Sequence, residues 1–254
     1  MEAMAYAPGR SEGRHFHSRA SLIYIVAGDH WAGHSRGGGA CRSRTVRFLP
    51  AGEPHETYFP LGSTCLQIEL EPAIMALAAE EGPLPGSPGE VRNPSAPSLG
   101  VRLFRELVCG DDLSGLEVEA STLQLLACSA GGREPAGRVA PPWVLRVADM
   151  LREERQARLA LSAIASSVGR HPVQVSRAFH RHIGCTISEY VRRARVARAQ
   201  VLLSKGEHSI SEIALACGFC DQSHFTTTFR RLAGAPPQRY QARGRRATGF
   251  SSPA

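Results

Sequence analysis

The C-terminal part of the chain contains one pattern twice, and that repeat constrains the fold more than any other feature. The first copy is IASSVGRHPVQVSRAFHRHIG, Ile164 to Gly184, and the second is IALACGFCDQSHFTTTFRRLAG, Ile213 to Gly234. Both read I-A-x3-G, then five or six residues, then an apolar residue (Val175 or Phe225), then x3-F-x4-G, at an offset of 49–50 residues. Gly169 or Gly218 ends a short helix in a tight turn that favours positive φ. Ala165 or Ala214, four positions earlier, is small enough for a following helix to pack close. Val175 with Phe179, and Phe225 with Phe229, then seat that helix. Each copy predicts a helix-turn-helix unit whose second helix turns its opposite face outward.

On that outward face the first unit carries Val173, Ser176, Arg177 and His180, spaced i, i+3, i+4, i+7. The second carries Gln222, Ser223, Thr226, Thr227 and Arg230. Short hydroxyl, amide and guanidinium side chains are the groups that meet base edges in a major groove. Any helix has a solvated polar face, but two such faces in a strongly basic segment favour DNA reading. Residues 141–254 hold 18 Lys plus Arg against 7 Asp plus Glu, a net of +11, whereas residues 1–140 hold 12 against 16, a net of −4. That asymmetry points to a polyanion, nucleic acid before membrane. Between the units runs ISEYVRRARVARAQVLLSKG, Ile187 to Gly206. As a helix it spans roughly 28 Å, near the roughly 34 Å between successive turns of one groove face. Such a spacer suits two recognition helices in adjacent major-groove segments. Arg192, Arg193 and Arg195 on it, with His180 and Arg230, are the expected phosphate contacts.

Upstream, SLIYIVAG, TVRFLPAG and CLQIELEP read as short strands within residues 13–70, closely spaced as in a small antiparallel barrel or sandwich. Residues 82–97 are a Pro/Gly/Ser connector. Leu99, Leu103 and Leu107, then Leu116, Ala120, Leu123, Leu126 and Ala130, mark two amphipathic helices. The expected architecture is α+β with two domains. Residues 1–97 form a regulatory barrel, and 98–130 a trailing helical pair suited to homodimerisation. Residues 131–142 form a linker, 143–243 an all-α domain with tandem helix-turn-helix units, and 244–254 a tail.

The segment from about Trp143 to Arg243 resembles the DNA-binding domain of the AraC/XylS family of bacterial transcription regulators. IASSVG, RAFHRHIG, the arginine-bearing linker helix, SISEIALACGF, DQSHFTTTFRRLAG and PPQRY occur in the family's order. The resemblance implies double-stranded promoter DNA as a partner, with RNA polymerase beyond it. It also implies base contacts from Val173, Ser176 and Arg177 in the first unit and Gln222, Ser223, Thr226 and Thr227 in the second. Thr227 stands where many relatives have arginine, and Gln241 follows Tyr240 where arginine is common, so the bases read do not follow from the resemblance.

GRHFHSRASLIYIVAG and PAGEPH resemble the two half-motifs of a cupin barrel, the kind of N-terminal domain many AraC-type regulators carry. His15 and His17 sit at i and i+2 of a strand and share a face. With His55 they could form an effector or metal pocket. Metal-binding cupins supply a glutamate where this chain has Ser21, so no metal or other cofactor is expected. Cys217 and Cys220 form a C-x-x-C pair without a second pair at metal spacing, and Cys217 falls on the packed helix face four residues after Ile213. They read as incidental thiols, and His224 reads as a local hydrogen-bonding residue beside Phe225.

Seven cysteines without framework spacing fit a reducing cytoplasm, and no run is long enough to span a bilayer. The expected function is a non-enzymatic, effector-responsive transcription regulator in the cytoplasm. A cupin metal-dependent dioxygenase or isomerase fused to a DNA-binding domain is one alternative. An architectural binder held by phosphate contacts alone is the other.

Overall fold

The computed structural model describes residues 1–80, 82–130, 139–153 and 160–248. Strands β1 (Glu2–Tyr6), β2 (Arg10–His15), β3 (Ser21–Ala27), β4 (His30–His34), β5 (Gly37–Cys41), β6 (Val46–Leu49), β7 (His55–Phe59) and β8 (Ser63–Glu69) open the chain. Helix α1 (Pro72–Ala79), a short β9 (Gly89–Glu90), α2 (Ala96–Cys109) and α3 (Ser114–Ser129) follow. The strands make two antiparallel sheets, ordered β1-β8-β3-β6-β9 and β2-β7-β4-β5.

The three strands expected from their apolar runs are β3, β6 and β8. They are neighbours, with β3 paired to β6 on one side and β8 on the other. Leu22, Tyr24 and Ile25 of β3 are all buried, as a strand covered on both faces requires. The Tyr24 ring lies where a side chain at Gly100 of α2 would stand, with its Cδ2 2.3 Å from an added Cβ. Strands β4 and β5 escaped the sequence pattern because HWAGH and GGGAC are glycine-rich and poor in β-formers. The Trp31 ring fills the space above Gly33 and Gly38, which face each other in the register. One indole supplies the packing that two missing side chains cannot.

The C-terminal part is helical: α4 (Pro142–Glu153), α5 (Leu161–Ser167), α6 (Pro172–Ile183), α7 (Ile187–Lys205), α8 (Ile210–Ala216), α9 (Gln222–Ala233) and α10 (Pro237–Thr248). The repeat is visible in single hydrogen bonds. Arg170 N–H donates to Ala165 O and Phe219 N–H to Ala214 O, both at 3.0 Å. Gly169 (φ 62°) and Gly218 (φ 83°) occupy the left-handed region one residue earlier in each copy. The second turn has one extra residue before its helix, Asp221, whose carboxylate accepts from His224 N–H at 2.7 Å as the N-cap of α9. Phe225 and Phe229 are fully buried with Cys217, Phe219, Ile213, Ala214, and Val196, Ala199 and Leu203 of α7. Cys217 is therefore a core thiol, and Cys220 is exposed and free.

The chain forms two compact units whose boundaries do not follow the sequence order. The first holds Met1–Gly110, the chain from Glu117 through the rest of α3, and Pro172–Arg177. The second holds Asp111–Leu116, α4, α5 and the chain from Ala178 on. Most of the expected linker 131–142 lies outside the described residues, as does the end of the expected tail, and α10 continues past residue 243 to Thr248.

Removing the Phe229 ring from this core should cost about 3–5 kcal/mol of stability. Urea unfolding of Phe229→Ala measures it, and an unchanged midpoint would contradict the packing described.

Candidate nucleic-acid interface and small-molecule pocket

The second recognition helix, α9, presents the expected surface. Gln222, Ser223, Thr227 and Arg230 are exposed and Thr226 is half-buried, while Phe225, Thr228 and Phe229 face inward. Arg230 and Arg231 lie in its last turn, where cations also suit the helix dipole.

The first recognition helix, α6, departs from expectation. Val173, Ser176 and Arg177 are 0%, 6% and 9% exposed, so the face expected to be open is closed in this structure. Helical spacing assigned α6 one buried stripe, through Val175 and Phe179, and both are indeed fully buried. The opposite side is also covered: Gln124 Nε2 donates to Ser176 Oγ at 2.5 Å, and Arg177 Nη2 lies 3.9 Å from Cys128 Sγ. Gln174, which the pattern left out, is exposed, and His180 is half-buried.

The linker-helix arginines divide in the same way. Arg193 is exposed and pairs with Glu189 one turn away at 2.5 Å. Arg192 and Arg195, expected on phosphates, are instead buried in ion pairs. Arg192 Nε and Nη2 donate to Asp111 Oδ2 and Oδ1, each at 2.6 Å, and Arg195 Nη1 donates to Asp112 Oδ2 at 2.5 Å. The paired side chains are only 2–6% exposed. Arg195 also lies over the Phe219 ring, 5.8 Å from its centroid. His224 is not a local partner of its own helix, as expected from sequence, but faces both carboxylates. Its Nε2 is 3.4 Å from Asp111 Oδ2 and its Nδ1 3.5 Å from Asp112 Oδ1. Burial would raise the Asp111 carboxyl, but the His224 imidazole and Arg192 guanidinium beside it hold it well below the usual carboxylate range. Nothing in the sequence near Asp111 and Asp112 signals partners some eighty residues away.

In the first unit, a cavity of about 170 Å³ lies between the two sheets. His15, His17, His30, His34 and His55 line it with Tyr6, Glu12, Arg47, Phe59 and Gln67. The three expected histidines come together there. Their ring centroids are 4.3 Å apart for His15–His55 and 5.1 Å for each of the other two pairs. One ligand nitrogen from each lies within 4.8 Å of the others. His15 Nδ1 sits 2.8 Å from Gly13 O and His55 Nδ1 3.1 Å from Glu53 O, contacts that leave Nε2 as the ligand atom in each. The donor set fits a divalent transition metal with an open position, without a carboxylate in the group. Ser21, at the glutamate position, is buried in β3 and does not line the cavity.

The cavity holds its ionisable groups neutral. Burial, then the nearby Arg47 charge, pushes the His30 imidazole down to about 4. Burial lowers His55 against the opposing Glu53 carbonyl, and His15 and His17 add to the lowering. Burial, then Glu12, pushes the Tyr6 hydroxyl up to about 12.

Comparison with known proteins places both parts. Residues 3–126 match the family model of the AraC-like ligand binding domain, and residues 164–243 match that of a helix-turn-helix domain. Among curated relatives, the HTH-type transcriptional activator RhaR of Yersinia pseudotuberculosis is 35% identical over 109 residues, 38% of each chain. The HTH-type transcriptional regulator YpdC of Escherichia coli is 38% identical over 85 residues, 34% of this chain and 30% of that one. The chain thus spans well under half the length of these relatives. Among solved structures, an AraC-type DNA-binding regulator of Chromobacterium violaceum is 30% identical, covering 41% of this chain and 92% of that chain at a TM-score of 0.39.

The cavity carries its own pH signature. His30 is neutral in the folded chain down to about 4 but protonates near its ordinary 6.5 when unfolded. The unfolded state therefore binds more protons between these values, and stability present above about 6.5 is lost as pH falls to about 4, on the order of 3 kcal/mol. Denaturant unfolding across that window should show the loss, and His30→Gln should flatten it. Equal slopes for the two proteins would contradict a buried neutral imidazole.

Proposed function

The chain belongs to the AraC-type family of helix-turn-helix regulators, and from that premise we propose that it is a sequence-specific transcription regulator controlled by a small effector. The observation that carries this reading is the exposed polar face of α9 on a unit that repeats the helix-turn-helix fold bond for bond. Gln222, Ser223, Thr226 and Thr227 are its base-reading residues in the second unit, and Val173, Ser176 and Arg177 those in the first. Arg230 and Arg193 are exposed for phosphate contact, with His180 nearer the α6 surface. The effector occupies the histidine-lined cavity, whose volume suits a molecule of few heavy atoms. RNA polymerase contact, a homodimer formed through α2 and α3, and a cytoplasmic location complete the proposal. Among the described residues no helix is long and apolar enough to cross a membrane.

The relatives are named as transcription regulators, which favours a non-enzymatic role for this chain. The metal-dependent enzyme reading rests on the three converging imidazoles. Stoichiometric iron, manganese or nickel in the purified chain, together with turnover of a small substrate, would replace the effector reading with it.

Base reading is tested on duplexes selected by the chain from random DNA. Gln222→Ala should cost about 1–3 kcal/mol on the selected site by losing a bidentate base contact, with little change on random duplex. Equal weakening on both would assign Gln222 to the backbone and overturn the assignment.

A further inference from the structure

Arg192 and Arg195 share a face of α7, three positions apart, and His224 meets them from the first turn of α9. Together they make a cationic recess beside the base-reading residues Ser223 and Gln222. What fills the recess is a pair of adjacent carboxylates. Asp111 takes Arg192 through two parallel N–H···O bonds, the geometry in which a guanidinium also takes a phosphate. Asp112 takes Arg195.

We propose that Arg192, Arg195 and His224 form a binding site for a DNA backbone phosphate, and that Asp111 and Asp112 occupy it as a built-in competitor that must leave before DNA enters. The inference rests on the DNA-binding reading above. Three observations support it. The carboxylates arrive from a short segment, Asp111–Leu116, that belongs to the second unit although the chain on both sides of it belongs to the first. That segment lies within the region matching a ligand-binding domain model, not the helix-turn-helix one. Stability alone does not call for the arrangement, because buried ion pairs are commonly matched or bettered by apolar side chains of similar volume. Finally, Val173, Ser176 and Arg177 are buried as well, so this conformation withholds the base-reading residues of α6 along with the two linker arginines.

The competitor is held by local hydrogen bonds that report its release. Asp111 N–H donates to Ser114 Oγ at 2.6 Å, Leu113 N–H to Asp111 Oδ1 at 2.9 Å, and Ser114 N–H to Asp111 O at 3.0 Å. Clearing the site should free both guanidiniums for backbone contact, which carries no sequence information.

The test uses the full chain and a random-sequence duplex of about three helical turns. Fluorescence anisotropy compares the wild type with Asp111→Asn/Asp112→Asn between about 50 and 200 mM salt. The double variant should bind roughly 10-fold tighter, with a log K against log salt slope steeper by about 1–2, one for each phosphate gained. Equal affinity and slope in a folded variant overturn the proposal. Because the substitutions leave two buried guanidiniums short of full charge and could unfold the chain, the wild type is also followed by hydrogen exchange. Saturating duplex should raise exchange at Asp111, Leu113 and Ser114 while slowing it in the first turn of α9. Unchanged or stronger protection of those three amides on DNA binding overturns the proposal whatever the variant does. A chain that binds no duplex in either form overturns the DNA-binding reading, an outcome separate from two forms that bind equally.

Discussion

Two guanidinium groups buried on one helix cannot stand without carboxylates, and the second unit is arranged around that demand. An uncompensated buried charge costs several kcal/mol, so Arg192 and Arg195 bring Asp111 and Asp112 with them. The same helix, α7, gives Val196, Ala199 and Leu203 to the core that seats Phe225 and Phe229 of α9. Thr186 caps its start by accepting from Glu189 N–H, and Gly206 ends it in the left-handed conformation. A stiff rod of this kind fixes the position of α9 through apolar packing on one side and charge on the other. Breaking the charged side frees arginines, and breaking the apolar side loosens the recognition helix itself.

The first unit works by the opposite physics. Its cavity keeps imidazoles neutral and a tyrosine protonated, because the two sheets withdraw them from water. Neutral imidazoles can accept or donate a hydrogen bond or hold a metal, and three of them converge with Nε2 available in at least His15 and His55. Whatever enters must fit about 170 Å³ and match a wall of ring edges, so selectivity there comes from shape and hydrogen bonding more than from charge.

Much of this was legible in the residues. The glycine-spaced repeat gave both helix-turn-helix units, the turn glycines and the buried phenylalanines, because local backbone chemistry and helical period decide them. H-x-H with a later histidine gave the convergence of His15, His17 and His55, since strand alternation puts i and i+2 on one face. The hairpin β4–β5 was not legible, because its packing comes from one tryptophan lying over two glycines rather than from β-forming residues. The closure of the α6 face and the burial of Arg192 and Arg195 were not legible either. They depend on Gln124, Asp111 and Asp112, contacts 52 and 81–83 residues distant that leave no periodic trace in the chain. Burial of an amphipathic helix on its polar side is a tertiary decision, and period alone reports only the apolar one.

The central claim is that two recognition helices, joined by α7, read two segments of one DNA face. Hydroxyl-radical footprinting of the full chain on duplexes it selects from random DNA measures this most directly. The expected result is two protected patches on one face, about 10 base pairs apart centre to centre, each with its own base preference. A single patch, or protection that follows no sequence, would contradict it.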